Sequence, residues 1–123
     1  MGPAKEKLAL VINKLNANPK AQAIFATNIT GKDVDWNMLF QFNLDKDEPF
    51  FLEIKERIIT LSDGTKSDAI IVMSGNSDAI VRICEGKGDF THAISREEIT
   101  VERGKVMDVI RLTRAITTVL KSK

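Results

Sequence analysis

The residues most able to do chemistry in this 123-residue chain are its single histidine, His92, and its single cysteine, Cys84. A nucleophile needs a positioned base, and neither residue stands in a motif that supplies one. Cys84 falls on the apolar side of a predicted helix, so an inert buried thiol is the favoured interpretation. His92 is interpreted as a surface or capping residue. An enzyme that uses His92 with Glu97 or Glu98 ranks last among our hypotheses, because no second catalytic group accompanies them.

Two polar segments suggest ion binding, and their spacing argues against it. Asp45, Asp47 and Glu48 lack the twelve-residue ligand pattern of a calcium loop, which favours a solvated turn. The Gly-Lys-Gly segment 86–88 lacks phosphate-loop spacing and follows a predicted helix, which favours a helix stop with a capping lysine. No cluster of cysteine and histidine exists to bind zinc. We expect neither a metal nor another cofactor.

The composition indicates one soluble domain that spans residues 1–123. The 18 basic and 17 acidic side chains nearly cancel, which argues against nucleic acid or an acidic membrane surface as the main partner. A single cysteine fits a reducing, cytoplasmic setting. Residues 1–6 lack the apolar core of a signal peptide and the apolar runs are shorter than a bilayer span, so stable membrane insertion is not expected.

Helical periodicity predicts two helices before residue 30. Apolar residues recur at i, i+3, i+4 and i+7 over residues 8–15, which is one face of an amphipathic helix. Asn18 followed by Pro19 is a capping and first-turn pair and predicts a second short helix over 19–26. Gly31 is then expected to turn the chain. The buried residues of the second helix would be Ile24 and Phe25.

A period of two begins at Val34 and predicts a strand with one unusually bulky face. A turn over 45–49 leads into a partner strand, and a third strand over 57–61 completes a three-stranded meander. The bulky face of the first strand would consist of Trp36, Met38, Phe40, Phe42 and Leu44, and that of its partner of Phe50, Leu52 and Ile54. Large rings that face short helices leave irregular gaps, which is where apolar ligands bind. A filled core is the alternative interpretation.

The second half of the chain alternates strands with helices. Residues 69–73 predict a strand that is apolar on both faces, and exposure of Ile70 and Val72 would suit a dimer contact. Helices are predicted over 78–85 and 89–96, a strand over 98–103, and the longest helix over 105–121. This order predicts an α+β fold with the helices gathered on one face of the sheet.

Residues 68–104 resemble the sterol carrier protein type two family of lipid-transfer domains. Residues 68–74, Asp-Ala-Ile-Ile-Val-Met-Ser, are similar to the family's strand that opens with an acidic residue and closes at a helix-capping serine. Residues 86–87 stand where the family has Gly-Lys after its helix, and residues 99–104 are similar to its final strand ending in glycine. The chain departs from the family at 96–98, Arg-Glu-Glu, where we expect this protein's own specificity. The resemblance extends to Asn18-Pro19, to Gly31 and to the closing helix.

This resemblance implies a five-stranded mixed sheet with helices over one face, which enclose a hydrophobic tunnel for fatty acids, acyl-CoA, sterols or phospholipids. The last helix would form a side or lid of the tunnel. We therefore expect a non-enzymatic protein that binds and transfers hydrophobic lipids without a covalent step. The alternative is a dimerising or accessory module, a homodimer with a filled core. The implied tunnel lining comprises Trp36, Met38, Phe40, Phe42, Ile80, Ile83, Cys84, Phe90, Ile94, Met107 and Ile110.

Overall fold

The computed structural model describes residues 2–29 and 31–121. Within this part, five helices and seven strands follow one another along the chain. The helices are α1 (Pro3–Asn16), α2 (Pro19–Ile24), α3 (Ser77–Cys84), α4 (Phe90–Ser95) and α5 (Val106–Lys121). The strands are β1 (Ala26–Ile29), β2 (Lys32–Asp35), β3 (Met38–Leu44), β4 (Phe50–Lys55), β5 (Ile58–Asp63), β6 (Ile71–Gly75) and β7 (Ile99–Arg103).

Five of these strands form one mixed sheet in the order β5-β4-β3-β6-β7. The β3–β6 pair is parallel and the other neighbours are antiparallel, as the predicted five-stranded mixed sheet requires. Large apolar side chains alternate along the strands on the face that packs against the helices, which confirms the α+β fold. Phe42 lies opposite Phe50 in the register, and their rings stack with centroids 5.0 Å apart. The fully buried residues of this core include Phe40, Phe42, Phe50, Leu52, Ile71 and Met73.

The opposite face of the sheet is partly covered by the connection between β5 and β6. Gln41 in β3 alternates away from the apolar face, yet it is buried. Its amide nitrogen donates to the carbonyl oxygens of Phe50 (3.1 Å) and Gly64 (3.2 Å), and its amide oxygen accepts from the Lys66 N–H (2.7 Å). These hydrogen bonds offset the cost of burying an amide. Gln41 therefore fastens the crossing segment to the sheet.

Asp45 and Asp47, predicted to lie in a solvated turn, instead cap two helices. The carboxylate of Asp47 accepts hydrogen bonds from the backbone N–H groups of Ala4 (3.3 Å) and Lys5 (3.1 Å) at the start of α1. Asp45 accepts from the N–H of Ser77 (2.9 Å) at the start of α3. The first N–H groups of a helix lack partners within it, so these carboxylates satisfy donors that the local sequence leaves open.

The hairpin of β1 and β2 departs from the prediction. Its strands pair antiparallel from Ala26 with Asp35 to Ile29 with Lys32. The predicted helix over 19–26 ends at Ile24, and the strand predicted from Val34 begins at Met38. Gly31 has a φ of +81°, a region that favours glycine and permits a tight reversal. The expected turn therefore lies inside a hairpin.

Candidate functional site

A cleft runs between α5 and the segment that joins α3 to α4. Its larger part has a volume of about 660 Å³, and an adjoining part of about 370 Å³ continues along α5 towards α2. Asp89 and Thr117 border both parts, which together we call the α5 cleft. Ligand sites in proteins commonly measure roughly 300–1,000 Å³. The cleft is lined by Ile24, Glu85, Gly86, Lys87, Gly88, Asp89, Thr91, His92, Ile110, Thr113, Arg114, Thr117, Thr118 and Leu120.

The wall opposite α5 is shaped by the end of one helix and the start of the next. Gly86 has a φ of +78°, and the N–H of Lys87 donates to the carbonyl oxygen of Arg82 (2.9 Å), which ends α3. Asp89 then accepts a hydrogen bond from the N–H of His92 (2.8 Å) and caps α4. The predicted helix stop at residues 86–88 is confirmed. The residues between these two points, 86–89, line the cleft.

The lining of the α5 cleft is amphiphilic. Ile24, Ile110 and Leu120 supply half-buried apolar surface, while the cations Lys87 and Arg114 are exposed at its rim. Such a site can take an apolar body and leave a polar group near water. Glu85 and Asp89 add carboxylates to the same lining, so the cleft offers both apolar and charged contacts.

The two reactive side chains do not form a catalytic pair. Burial, reinforced by the charge of Glu85, raises the pKa of the Cys84 thiol to about 12, so the thiol stays protonated at neutral pH. The imidazole of His92 is exposed, and its Nδ1 lies 3.3 Å from the Asp89 carboxylate. Among the described residues, no group of three or more histidine, cysteine and acidic side chains could bind a metal ion. No helix in the same part of the chain is long and apolar enough to cross a membrane.

Solved structures of sterol carrier proteins share this architecture. The chain is similar to the UbiJ-SCP2 ubiquinone synthesis protein, with a TM-score of 0.66, 13% identity, and coverage of 91% of this chain and 86% of that one. For the apo form of sterol carrier protein 2 from Yarrowia lipolytica, the TM-score is 0.62 at 20% identity, over 94% and 91% of the two chains. For palmitated SCP2L2 from Aedes aegypti, it is 0.57 at 15% identity, over 94% and 95%.

The chain has the sterol carrier protein 2 fold.

Comparisons of the sequence found no match. No family model matches the chain, and no curated protein matches it by sequence. The sterol carrier protein 2 fold also occurs within larger proteins. The chain is similar over 65% of its length to the sec-alkylsulfatase Pisa1 from a Pseudomonas species, with a TM-score of 0.54 and 16% identity, and it spans 12% of that enzyme.

The predicted tunnel lining occupies several environments within the sterol carrier protein 2 fold. Ile110 is half-buried and borders the α5 cleft, whereas Met107 is 71% exposed at the start of α5. Ile94 is half-buried against the core. Apart from Trp36, the other predicted lining residues are excluded from solvent. Such burial is expected both for a filled core and for the lining of a closed tunnel. Their role in binding therefore stays a prediction. They are Met38, Phe40, Phe42, Ile80, Ile83, Cys84 and Phe90.

Trp36 lies where α2, β3 and α5 meet, a position that the sequence did not predict. It precedes β3 instead of lying in the strand, and its ring stacks on Phe25 with centroids 6.1 Å apart. The Arg111 guanidinium lies 4.7 Å from the centroid of the Trp36 ring and donates to the carbonyl oxygens of Ile24 and Ala26, both at 2.9 Å. A cation over an indole face is favourable, and a planar guanidinium suits this stacking. Arg111 therefore anchors α5 to α2 and β1.

Residues 96–98, where the sequence departs from the family, connect α4 to β7. Glu97 has a φ of +61°, and the Glu98 carboxylate accepts from Arg82 at 2.7 Å. The Glu98 carbonyl oxygen also accepts from the Asn76 N–H (2.9 Å). Glu98 thus links α3 to the start of β7, and it borders a small hollow beside Arg82 but not the α5 cleft.

Proposed function

We propose that this protein binds hydrophobic lipids non-covalently in the α5 cleft and transfers them. The observation that carries the proposal is the cleft itself, because its volume of about 660 Å³ and its amphiphilic lining suit a lipid. Proteins with the same fold support it, among them a palmitated protein from Aedes aegypti. The candidate ligands are fatty acids, acyl-CoA, sterols and phospholipids, with acyl chains first. Binding and release then need no covalent step.

The energetics suit a carrier. Each methylene group removed from water contributes about 0.8 kcal/mol, so about ten contribute roughly 8 kcal/mol before the costs of ordering. A net free energy of this size corresponds to an affinity near the micromolar range, which permits both loading and release, so contacts beyond these ten methylene groups must offset the ordering costs. Lys87 and Arg114 at the rim can pair with a carboxylate or phosphate headgroup. No charge needs to be buried with the chain.

We further propose that α5 forms the side or lid of the lipid site. Its contacts through Arg111 to Ile24 and Ala26 hold it against α2 and β1. Opening of α5 relative to α4 would extend the cleft towards the predicted lining residue Phe90, which is now fully buried. The buried lining would then contact only the end of a long acyl chain.

Displacement of a fluorescent fatty acid tests this function directly. Native mass spectrometry of protein purified without detergent should show a bound lipid, and palmitate should displace the probe at micromolar concentration. Thr117→Trp should weaken probe binding at least about tenfold, because the indole would fill the space shared by the two parts of the cleft. Thr60→Trp, at an exposed site on β5, is the matched control. Absence of both carried lipid and probe binding would refute the proposal.

A dimerising module is the second candidate function, and one observation favours it. On the sheet face away from the helices, Ile70 is 47% exposed, and Leu39 and Val72 are half-buried beside it. Sedimentation equilibrium would show a dimer that Ile70→Lys dissociates. If the wild-type protein sediments as a monomer while it binds lipid, this candidate is excluded.

A further inference from the structure

The outward side of α5 combines exposed apolar and basic residues. In its first turn Val106 is 43% and Met107 is 71% exposed. Ile110 and Arg114 follow Met107 by three and seven residues and so lie on the same side of the helix. Arg114 is exposed, while Ile110 and Arg111 beside it are half-buried. We call these five residues, Val106, Met107, Ile110, Arg111 and Arg114, the outward face of α5.

Basic groups outnumber acidic groups along this face. The single acidic residue of α5, Asp108, is half-buried, and it stands as far around the helix from Met107 as Val106 does, on the other side, and borders the same shallow depression as Arg111 and Arg114. Asp89 lies across the α5 cleft, which Arg114 also lines. Lys105, exposed just before the helix, adds a further positive charge. The N-terminal end of α5 contributes the positive end of the helix dipole.

We propose that the outward face of α5 docks peripherally on a bilayer that carries anionic headgroups. Apolar side chains beside basic ones are the composition of a helix that lies in the membrane interface. Val106 and Met107 enter the boundary between headgroups and acyl chains, while Lys105 and Arg114 pair with phosphate and carboxylate groups. Arg111 keeps α5 on the protein through its hydrogen bonds to Ile24 and Ala26.

The net charge of the chain does not describe the local charge on α5. A total of 18 basic and 17 acidic side chains argues against an acidic membrane surface only when the charges are evenly spread. On α5 they are not, so the attraction is confined to one face. Ile110 and Arg114 border both this face and the α5 cleft, which places the cleft next to the bilayer. The docking requires no particular cargo and can be tested apart from lipid binding.

Co-sedimentation with vesicles is the test. The wild-type protein should pellet with phosphatidylcholine vesicles that contain phosphatidylserine, but not with pure phosphatidylcholine, and added salt should release it. Arg114→Gln should weaken vesicle binding about fivefold, the loss expected for one basic residue near an anionic surface. Met107→Ser should weaken it about tenfold, because an inserted apolar side chain is removed.

Matched controls locate the surface. Leu10→Ser on α1, where Leu10 is 61% exposed, and Lys55→Gln on β4 should bind vesicles as the wild type does. Circular dichroism verifies the fold of each variant, and Val106→Ser replaces Met107→Ser if the latter is unfolded. Absence of binding, equal binding to pure phosphatidylcholine, or equal losses in the control variants would overturn the proposal.

If the outward face of α5 instead binds a soluble polyanion or a second copy of the chain, the results will differ. If Arg114→Gln weakens binding and the apolar variants do not, the face binds a soluble polyanion and the bilayer is excluded. If gel filtration shows a dimer that Arg114→Gln dissociates, without vesicle binding, the occupant is a second copy of the chain. Either result contradicts the proposal, which requires both the apolar and the basic contributions.

Discussion

Individual side chains connect segments of this protein that are far apart in sequence. Asp47 caps a helix that begins more than forty positions earlier, and its two hydrogen bonds join residues that are 43 and 42 positions apart in the sequence. Arg111 joins α5 to carbonyl groups at Ile24 and Ala26 in the same way. Each of these side chains stabilises the fold through hydrogen bonds that are only partly buried. Their removal should therefore change stability in a measurable and specific manner.

Asp47→Ala should lower the free energy of unfolding by about 1 kcal/mol, because the first N–H groups of α1 lose their acceptor. Asp47→Asn keeps an oxygen that can accept the same hydrogen bonds and should lose less. Urea unfolding followed by circular dichroism measures both. Glu48→Ala, at an exposed neighbouring position, is the control. An equal loss in Asp47→Asn and Asp47→Ala would mean that charge, and not hydrogen bonding, is what matters.

Cys84 should make the protein sensitive to alkali. Its thiol has an ordinary pKa of 9.0, and burial raises the pKa to about 12 in the folded state. Between these values the unfolded chain releases the proton while the folded chain retains it, so the free energy of unfolding falls as pH rises. In Cys84→Ala this part of the decline should disappear. Urea unfolding over a pH series checks it, and identical slopes in the two proteins would contradict the assignment.

At the scale of elements, two connections depend on glycine. At Gly75 the backbone has a φ of +143°, and a Cβ atom there would lie 2.2 Å from the carbonyl oxygen of Glu98. At Gly104, with a φ of +95°, a Cβ atom would lie 2.7 Å from the carbonyl oxygen of Ile70. Both contacts are with backbone atoms that cannot rotate away. Neither Gly75 nor Gly104 therefore has room for a side chain.

Gly75→Ala should cost about 2 kcal/mol or more of unfolding free energy, since it combines a strained backbone with a steric clash. Gly64→Ala isolates the strain, because Gly64 has a φ of +118° but open space around it. Gly88→Ala has neither a positive φ nor a close neighbour and should be nearly neutral. Thermal and urea denaturation rank the three variants. A Gly75→Ala protein as stable as Gly88→Ala would refute this packing.

The sequence predicts elements well where periodicity is long, and poorly where short strands depend on their partners. The apolar repeat in α5 and the alternation in β3 located both elements. The β1–β2 hairpin was missed because four-residue strands carry little pattern of their own. The third strand of the meander was predicted to begin at Arg57, but β5 begins at Ile58. Glu56 and Arg57 both adopt positive φ in the tight reversal that precedes it. Turn geometry, which the sequence left unspecified, decided that boundary.

At the scale of the whole molecule, the sequence predicted the fold and only part of the candidate site. Periodicity identifies residues that are shielded from water, so it selected Phe40, Phe42 and Phe90, which are fully buried. A cleft is defined by the distance between elements, and no periodic pattern encodes that distance. The walls of the α5 cleft include threonine, glycine and charged residues that look like an ordinary surface. Ile110, which the family resemblance placed in the predicted lining, is half-buried and borders the cleft.

Unfolding should be a single cooperative transition. Trp36, the only tryptophan, contacts Phe25 at the end of α2, Phe40 in β3 and Arg111 in α5. Its fluorescence therefore reports on the packing of α5 against the remainder, whereas circular dichroism reports on all helices. The two urea transitions should coincide. A fluorescence change that precedes the loss of helix would show instead that α5 detaches first.

The contact between Asn16 and β5 has a further consequence for solubility. At the end of α1, the Asn16 amide donates to the carbonyl oxygen of Ile59 (3.0 Å) and accepts from its N–H (2.9 Å). One side chain thus imitates a neighbouring strand at the outermost strand of the sheet. An unpaired strand edge is a template for edge-to-edge polymerisation, and this amide occupies hydrogen-bonding groups that a second molecule would use. We therefore expect Asn16 to oppose edge-to-edge association of this protein.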